Sequence, residues 1–401
     1  MKKHLKKTAK IGKILLALLL VSISVVSIYN IIIPDSVSCM SGEELPAFAG
    51  AFADGDTSII CAKDSESPTV YQTEYKLLGL IPIKKVSVNV FDRTSLYVGG
   101  MPFGVHFSTQ GVMVIGYGSD KDKSSNPGYM SGIRPSDIIT KINGTAVNDI
   151  SALTKMVDSA KGKSLSFTCR RNGKEFETSL TPYYSASENR YKTGLLVRDS
   201  GAGIGTVTYI IPESNLFGGL GHGICDGETG SLIPLQRGVV SDVTINGVIK
   251  GISGTPGELR GSFKNNKIGS VINNTSCGIF GMFSELPKQH GELMPIALRN
   301  EIKAGKAYIY CTLDETGPQK YEIQISEIDT GAKGNKCFTV KVTDPCLIEK
   351  TGGIVQGMSG SPIIQDGKIV GAVTHVLIND PTTGYGIFIE NMLTQMGDMI
   401  R

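Results

Sequence analysis

A serine between two glycines is the part of this sequence that points most directly to chemistry. It lies in Gly357–Pro362, which reads GMSGSP. A serine hydroxyl is a poor nucleophile until a base takes its proton and backbone donors stabilise the resulting oxyanion. Glycines on both sides of the serine allow a tight turn that directs successive N–H groups toward one point. The pattern predicts Ser359 as a catalytic nucleophile. Ser361 is the competing candidate, and an ordinary Gly/Ser turn is the alternative.

A catalytic serine needs a general base, and the chain has five histidines. His222 lies in GGLGHGICD, flanked by glycines as in a tight functional loop, and it precedes the serine in the chain. His375 follows the serine on an apolar run, which predicts a structural core residue. The remaining three stand in less suitable segments: His4, His106 and His290. His222 is therefore the predicted base.

The third member of such a site orients the imidazole and stabilises its protonated form. Three acids between base and serine are candidates. Asp226 shares the His222 loop, Asp242 follows a strand-like run, and Asp344 precedes Pro345 fifteen residues before the serine. An Asp-Pro pair also initiates ordinary turns. Spacing alone leaves the choice open.

The segment after the serine predicts a β-hairpin. Ile363–His375 contains an apolar strand, an Asp-Gly turn and a second strand. A serine loop followed by this hairpin resembles the chymotrypsin-like serine peptidases. Met358 departs from that pattern, because the usual residue before the serine is an Asp that pairs with a newly freed N-terminus during zymogen activation. An α/β-hydrolase is excluded by the His-before-Ser order and by the lack of strand–helix alternation.

A compact block upstream, residues 95–182, has its own signature. SGIRPSDIITKINGTAV follows a Gly-rich loop and precedes a helix that Asn148 or Asp149 caps, and Asn172-Gly173 predicts a hairpin. The block resembles a PDZ domain, which binds a peptide as an added strand and uses loop N–H groups for a C-terminal carboxylate. The alternative is a small packing module with an unused groove. The resemblance implies a peptide-binding loop formed by Gly100, Met101, Pro102, Phe103, Gly104 and Val105.

The N-terminus predicts a membrane anchor. Six lysines and no acid stand in the first 13 residues, and Ile14–Ile33 contains no charge. Twenty residues at helical rise are about enough to cross a bilayer, and the run lacks the small-residue end of a cleaved signal peptide. The lysines place residues 1–13 in the cytoplasm and residues 34–401 outside.

Composition limits the remaining functions. The chain of 401 residues is near-neutral beyond its tail, so we expect no nucleic-acid partner. Its eight cysteines form no Cys-x-x-Cys and no zinc spacing, which predicts no metal and no cofactor. An even number of cysteines permits disulfides without requiring them. Short turn-bounded runs rich in Val, Ile and Thr predict a mainly β protein. The predicted segments are a tail (1–13), an anchor (14–33), a stalk with short strands (34–94), a PDZ domain (95–182) and a peptidase domain (183–401).

From about residue 183 onward the chain resembles the stage IV sporulation protein B peptidases of endospore formers. The resemblance is carried by Leu220-Gly221-His222, by Thr343-Asp344-Pro345 and by the run from Glu349 to Gln365. It implies a chymotrypsin-like double β-barrel. It also implies a triad of His222, Asp344 and Ser359, with the Gly357 and Ser359 N–H groups as oxyanion donors.

The resemblance also implies a biological role. Such proteins are exported to the space between the two membranes of the developing spore, cut themselves near the N-terminus and are released. They then cleave a membrane-bound regulator of an intramembrane metalloprotease, which activates a late sigma factor. The alternative is a non-enzymatic PDZ adaptor with a degenerate peptidase domain, which would be favoured if His222 and Ser359 could not share a hydrogen bond.

Overall fold

A computed structural model of the chain describes residues 2–41, 45, 47, 48, 50–53, 69–91, 94–118 and 123–400. Within these residues the chain forms 24 β-strands and five α-helices. The prediction of a mainly β protein is therefore confirmed. The strands build a small N-terminal sheet, a PDZ-like unit and two barrels.

The N-terminal part is one long helix joined to a four-stranded sheet. Its elements are α1 (Lys2–Ile32), β1 (Ser36–Met40), β2 (Ala51–Ala53), β3 (Thr69–Leu77) and β4 (Ile81–Phe91). Within α1, residues Gly12–Ile32 are long and apolar enough to cross a membrane. The strands are ordered β1-β4-β3-β2 around a core that includes Ile33, Tyr75 and Val88. The described part of the segment predicted as a stalk with short strands thus forms a small packed sheet, because β-branched and aromatic residues on one face have a common core to fill.

The PDZ-like block follows. Its elements are β5 (Ser95–Val98), β6 (Pro102–Tyr117), α2 (Pro127–Met130), β7 (Ile138–Ile142), β8 (Thr145–Ala146), α3 (Ile150–Ser159), β9 (Leu165–Arg171), β10 (Lys174–Leu180), β11 (Tyr183–Ser185) and β12 (Arg190–Lys192). Asp149 caps α3, since its side chain accepts from the Ala152 N–H at 2.7 Å. Asn172 and Gly173 both have positive φ and join β9 to β10. The predicted helix and hairpin are both confirmed.

The first barrel uses strands from both sides of the predicted domain boundary. The next strands are β13 (Leu195–Ile210), β14 (Leu216–Gly219), β15 (Leu235–Ile249), β16 (Glu258–Thr275), β17 (Gly278–Phe283) and β18 (Leu293–Pro295). β6 pairs with β15, β15 with β16, β16 with β17, β17 with β14, β14 with β13, and β13 again with β6. These six antiparallel pairings close a ring. Phe103, Phe217 and Phe283 are buried inside it, and each contributes about 1.5–3 kcal/mol by leaving water.

The second barrel is formed by the C-terminal residues. Its elements are β19 (Gly305–Cys311), β20 (Gln319–Ser326), β21 (Phe338–Val342), α4 (Pro345–Thr351), β22 (Pro362–Gln365), β23 (Lys368–Leu377), β24 (Asp380–Phe388) and α5 (Ile389–Ile400). The closed order is β19-β20-β21-β24-β23-β22. The hairpin predicted after the serine is β22–β23, and α5 follows the last strand of the barrel. The two barrels agree with the predicted double-barrel fold.

The prediction that Gly100–Val105 forms a peptide-binding loop is wrong. The Gly100 N–H donates to the Val207 carbonyl at 2.8 Å. From Pro102 onward the segment is strand β6, which pairs with β13 on one edge and with β15 on the other from Gly104 onward. Because both edges at Gly104 and Val105 are already paired, a peptide cannot add as a strand there. Because of this pairing, strand β6 belongs both to the PDZ-like unit and to the first barrel. The predicted domain boundary between residues 182 and 183 therefore does not separate the two units.

Candidate active site

A cleft of about 850 Å³ lies between the two barrels. The first barrel contributes His222, which follows β14, and the second barrel contributes Ser359, in the loop before β22. His375 on β23 also lines the cleft. Most of the other side chains that line the cleft are apolar. Among the lining residues, Arg198 is the only one that is a Lys, Arg, Asp or Glu. The cleft therefore brings the predicted nucleophile and the predicted base to one surface.

The serine loop adopts a backbone that requires glycine at two positions. Gly357 and Gly360 have φ of 96° and 95°, in the left-handed region that side chains avoid. A Cβ on Gly360 would lie 2.0 Å from the Thr206 carbonyl oxygen. A Cβ on Gly357 would lie 3.0 Å from Leu259. The Gly-x-Ser-Gly spacing thus allows the loop to lie against the first barrel.

Strand β13 holds this loop from the opposite barrel. The Thr206 hydroxyl donates to the Gly357 carbonyl and the Thr208 hydroxyl donates to the Gly360 carbonyl, both at 2.8 Å. The Thr206 N–H donates to the Ser359 carbonyl at 3.0 Å. Three hydrogen bonds therefore fix the carbonyls around the serine, and no feature of the sequence had indicated Thr206 or Thr208.

The two N–H groups predicted as oxyanion donors differ in their hydrogen bonding from the N–H groups of Met358 and Gly360. The Met358 N–H donates to Val355 at 3.1 Å and the Gly360 N–H donates to Val373 at 2.8 Å. The Gly357 and Ser359 N–H groups have no acceptor within the described residues. Met358 is fully buried in the apolar core, so packing replaces the ion pair that an Asp would make there. The loop thus leaves two N–H groups available to a ligand.

The two serines of the loop have different surroundings. The Ser359 hydroxyl is partly buried at the cleft and donates to the Thr374 carbonyl at 2.7 Å. The Ser361 side chain is fully buried and donates to the Met358 carbonyl at 2.6 Å. A substrate in the cleft can reach Ser359, whereas Ser361 is held in the interior. This geometry favours Ser359 over its competitor.

The imidazole of His222 is oriented by its own loop. Its Nδ1 lies 2.9 Å from the Gly223 carbonyl oxygen. A carbonyl only accepts, so Nδ1 carries the proton and Nε2 has the free lone pair that a general base needs. Burial lowers the pKa of His222, and the Gly223 bond opposes part of that shift. His222 and Ser359 make no hydrogen bond to each other in this arrangement, and catalytic hydrogen bonds of this kind are often long or poorly aligned until substrate binds.

His375 is a cleft residue that the sequence interpretation had assigned to the core. Its ring centroid lies 4.9 Å from that of His222, at an interplanar angle of 37°. Burial, together with repulsion from His222 and Lys336, lowers its pKa to about 4. Its buried Nδ1 has no hydrogen-bond partner within the described chain. At neutral pH it is an uncharged ring beside the base, so it does not oppose protonation of His222.

The predicted third residue, Asp344, does not contact His222. Its side chain caps α4 by accepting from the N–H groups of Cys346 and Leu347, at 2.9 and 3.1 Å. Its second oxygen accepts from the Glu322 N–H at 3.2 Å. Asp344 is absent from the cleft lining. The triad prediction is therefore corrected: the geometry gives Asp344 a role as a helix cap, because its oxygens are occupied by backbone donors.

The other two candidate acids are also engaged elsewhere. Asp226 is fully buried, binds N–H groups of its own loop and lies 2.6 Å from the Arg198 guanidinium. Asp242 forms an exposed ion pair with Lys264 at 2.9 Å. Within the described residues no carboxylate is hydrogen-bonded to His222. The Gly223 carbonyl occupies the position that an acid would take at Nδ1.

The cysteines form no bridges in the described residues. Cys169, Cys225, Cys277, Cys311, Cys337 and Cys346 are free thiols, and Cys39 is buried. The eighth, Cys61, lies outside the described residues. Across the same part of the chain, no group of His, Cys, Asp or Glu could hold a metal ion. Ser359, His222 and His375 are the serine and the histidines that line the cleft near the free N–H groups of the loop.

Comparison with known proteins gives one family. The model of the SpoIVB peptidase S55 family matches residues 189–393. Among solved structures, the chain is similar to the active form of the Rv3671c protease from M. tuberculosis, at 16% identity over 50% of this chain and 74% of that chain, with a TM-score of 0.27. It is also similar to the PDZ domain of an SdrC-like protein from Listeria monocytogenes, at 17% identity over 22% of this chain and 87% of that chain, with a TM-score of 0.19.

Proposed function

Because the chain belongs to the SpoIVB peptidase S55 family and is a serine endopeptidase, we propose that Ser359 is its nucleophile and His222 its general base. The observation that carries this assignment is that both side chains line one cleft between two barrels. The glycine-dependent loop and the free His222 Nε2 support it.

The proposed mechanism begins with a rotation of the Ser359 hydroxyl from the Thr374 carbonyl toward His222 Nε2. His222 takes the proton as Ser359 Oγ attacks the scissile carbonyl, and the Gly357 and Ser359 N–H groups bind the oxyanion. Protonated His222 then gives its proton to the leaving amine, which leaves an acyl-enzyme that water hydrolyses. The Gly223 carbonyl, which accepts from Nδ1, stabilises the imidazolium during both steps. Asp344 supports the site as a cap of α4, the helix that leads into the serine loop.

The family supports a finer role. The chain would be anchored by α1 with its peptidase outside the cytoplasm, in the space between the membranes of the developing spore. It would cut itself within residues 34–95 and then cleave a membrane-bound regulator of an intramembrane metalloprotease, which leads to activation of a late sigma factor. Part of that self-cleavage segment, including residues 54–68, lies outside the described residues.

One observation favours the second candidate, a non-enzymatic adaptor. In this arrangement Ser359 donates to Thr374 and not to His222. The adaptor predicts that the hydroxyl keeps this bond and never reacts. The peptidase predicts that it exchanges Thr374 for His222 when a peptide fills the cleft.

Expression of the full chain beside Ser359→Ala and Ser361→Ala tests the proposal, with mass determination of the products and labelling by a fluorophosphonate probe. We expect the parent and Ser361→Ala chains to be shortened at the N-terminus and labelled. The Ser359→Ala chain should stay whole and unlabelled. Trimming of all three chains alike would assign the cut to another protease, and labelling of Ser359→Ala would remove Ser359 as the nucleophile.

A further inference from the structure

We propose that the β3–β4 hairpin is a second membrane contact, whose tip enters the lipid interface beside α1. This inference rests on the proposed anchoring of the chain by α1. The tip is Leu78-Gly79-Leu80-Ile81. Outside α1, Leu80 and Leu78 are the two most exposed large apolar side chains of the described residues, at 82% and 73%, and Ile81 is 47% exposed. Phe52, on the neighbouring strand β2, is 46% exposed.

The backbone at this tip is unusual for such residues. Leu78 and Gly79 have φ of 52° and 73°, and the Leu80 N–H closes the turn onto the Leu77 carbonyl at 3.1 Å. Asn, Asp or Gly normally occupies the first of these positions, because a bulky side chain is strained at positive φ. The strained Leu78 is 73% exposed and therefore gains little from packing within the protein. The exposed leucine side chain is instead available to contact a surface beyond the turn.

The depth of the tip follows from how the sheet is joined to α1. Lys84 on β4 donates to the carbonyls of Asn30 and Ile33, at 3.1 and 2.7 Å, and pairs with Asp35 at 2.7 Å. Lys84 therefore lies level with the C-terminal end of the helix. β1 leads away from that end and runs parallel to β4. Going back along β4 from Lys84 thus leads toward the membrane.

The distance covered is substantial. Three strand residues separate Lys84 from Ile81, which is about 10 Å at 3.3 Å per residue. That length equals about seven residues of helix at 1.5 Å each, so the tip reaches the level of Val25 and Val26. These two residues are partly covered, whereas residues 12–24 of α1 are exposed. α1 packs against β4, which agrees with a hairpin lying alongside the last turns of the helix.

The charges near the tip are consistent with contact to a lipid surface. β3 and β4 contain three lysines, at positions 76, 84 and 85, and a single acid, Glu74. Lys85 is exposed at the level of the helix end, where phosphate headgroups of anionic lipid would lie, whereas Lys84 at the same level is paired with Asp35. An apolar tip with basic residues behind it fits a lipid surface better than a protein partner. With two contacts the sheet would be fixed against the bilayer, which α1 alone would leave free to rotate.

The chain contains no tryptophan, so a single introduced indole reports on its own position. We would place Leu80→Trp in the full chain, reconstituted in nanodiscs of phosphatidylcholine and phosphatidylglycerol with brominated acyl chains. Ser359→Ala serves as background, so that self-cleavage cannot separate the hairpin from α1. Leu18→Trp reports on the anchor. Met130→Trp is the matched control, since Met130 is 69% exposed on α2, in the PDZ-like unit.

We expect brominated lipid to quench Leu80→Trp and Leu18→Trp, and the Leu80→Trp emission to shift to the blue on reconstitution. Met130→Trp should keep its emission. Quenching of Leu18→Trp without quenching of Leu80→Trp would overturn the hairpin contact and leave the anchor intact. If neither is quenched, the anchor and the hairpin contact both fail. Equal quenching of Leu80→Trp and Met130→Trp would also overturn the hairpin contact, because an exposed indole would then partition into lipid from either position.

Discussion

The Ser359 hydroxyl donates to the backbone carbonyl of Thr374 at 2.7 Å, and not to the histidine across the cleft. Thr374 is itself fixed, since its hydroxyl lies within hydrogen-bond distance of the carbonyl oxygens of Asn335 and Tyr385, at 2.8 and 3.1 Å, and can donate to either of them. The proposed nucleophile thus has a defined resting partner. Occupancy of the cleft has to compete with that bond before the proposed chemistry can begin.

The pH dependence of peptide hydrolysis should identify the base. Because burial lowers the pKa of His222, the imidazole stays unprotonated to lower pH than an exposed one. We expect the acid limb of the kcat/KM profile to have its midpoint below 6.5, the ordinary value for His. Replacement of His222 by Ala should reduce kcat/KM by about 10³-fold or more. His375→Gln should retain the acid limb, and its loss in that variant would transfer the role of base to His375.

Folding stability should also depend on the two histidines. Their pKa values are lowered in the folded state, that of His375 to about 4, so the unfolded chain takes up protons first as the pH falls. The free energy of unfolding should therefore decrease from pH 6.5 toward pH 4. Urea midpoints at pH 7 and pH 5.5 measure this. A His222→Gln, His375→Gln double variant should show a smaller decrease, and an equal decrease would contradict the expectation.

Two substitutions separate a helix cap from a catalytic acid at Asp344. Asn is as good an N-cap as Asp, so Asp344→Asn should lose only the bond from the Glu322 N–H, at a cost of about 1 kcal/mol in stability. We expect its kcat to fall by less than about tenfold, whereas an Asn in place of a triad Asp lowers kcat by about 10⁴. Asp344→Ala should lose more stability than Asp344→Asn. A loss of thousands-fold in kcat for a folded Asp344→Asn chain would restore Asp344 to the triad.

An isosteric substitution tests whether the hydrogen bonds from β13 position the serine loop. Thr208→Val keeps the shape of the buried side chain and leaves the Gly360 carbonyl without its donor, which should cost about 1–3 kcal/mol. We expect kcat to fall more than KM changes, because the loop presents the oxyanion donors. Thr316→Val is a suitable control, since that hydroxyl bonds only within its own turn, to Asp314. If both variants behave alike, β13 does not position the loop.

Local sequence signals located the loops of the site but not their partners. Glycines around Ser359 and His222 indicated tight turns, and both residues line the cleft. Thr206 and Thr208 carried no signal, because their partners lie about 150 positions away and only the folded barrels bring them together. His375 was misread because it lies within an apolar strand, β23. Asp344 was misassigned because an acid before a proline looks the same whether it caps a helix or serves a histidine.

The pairing of the strands explains why the PDZ-like loop was also misread. A Gly-rich segment before a strand is typical of a carboxylate-binding loop, and nothing near Gly100 announces that residues 203 and 240 will pair with the segment that follows. Such pairings depend on the closure of a ring of strands from distant parts of the chain. The predicted helix and hairpin of that block depend on neighbours in sequence, and both were correct.

A strand that belongs to two units limits where this chain can be cut. A break between residues 33 and 95 detaches the helix and leaves every strand of both barrels covalently whole. A break between residues 118 and 195 would leave β6 bound to the rest of its barrel only by hydrogen bonds and side-chain packing. The proposed self-cleavage before residue 95 would therefore detach α1 from the enzyme and leave the PDZ-like unit attached to it. The two would travel as one diffusing particle, and a substrate would meet both together.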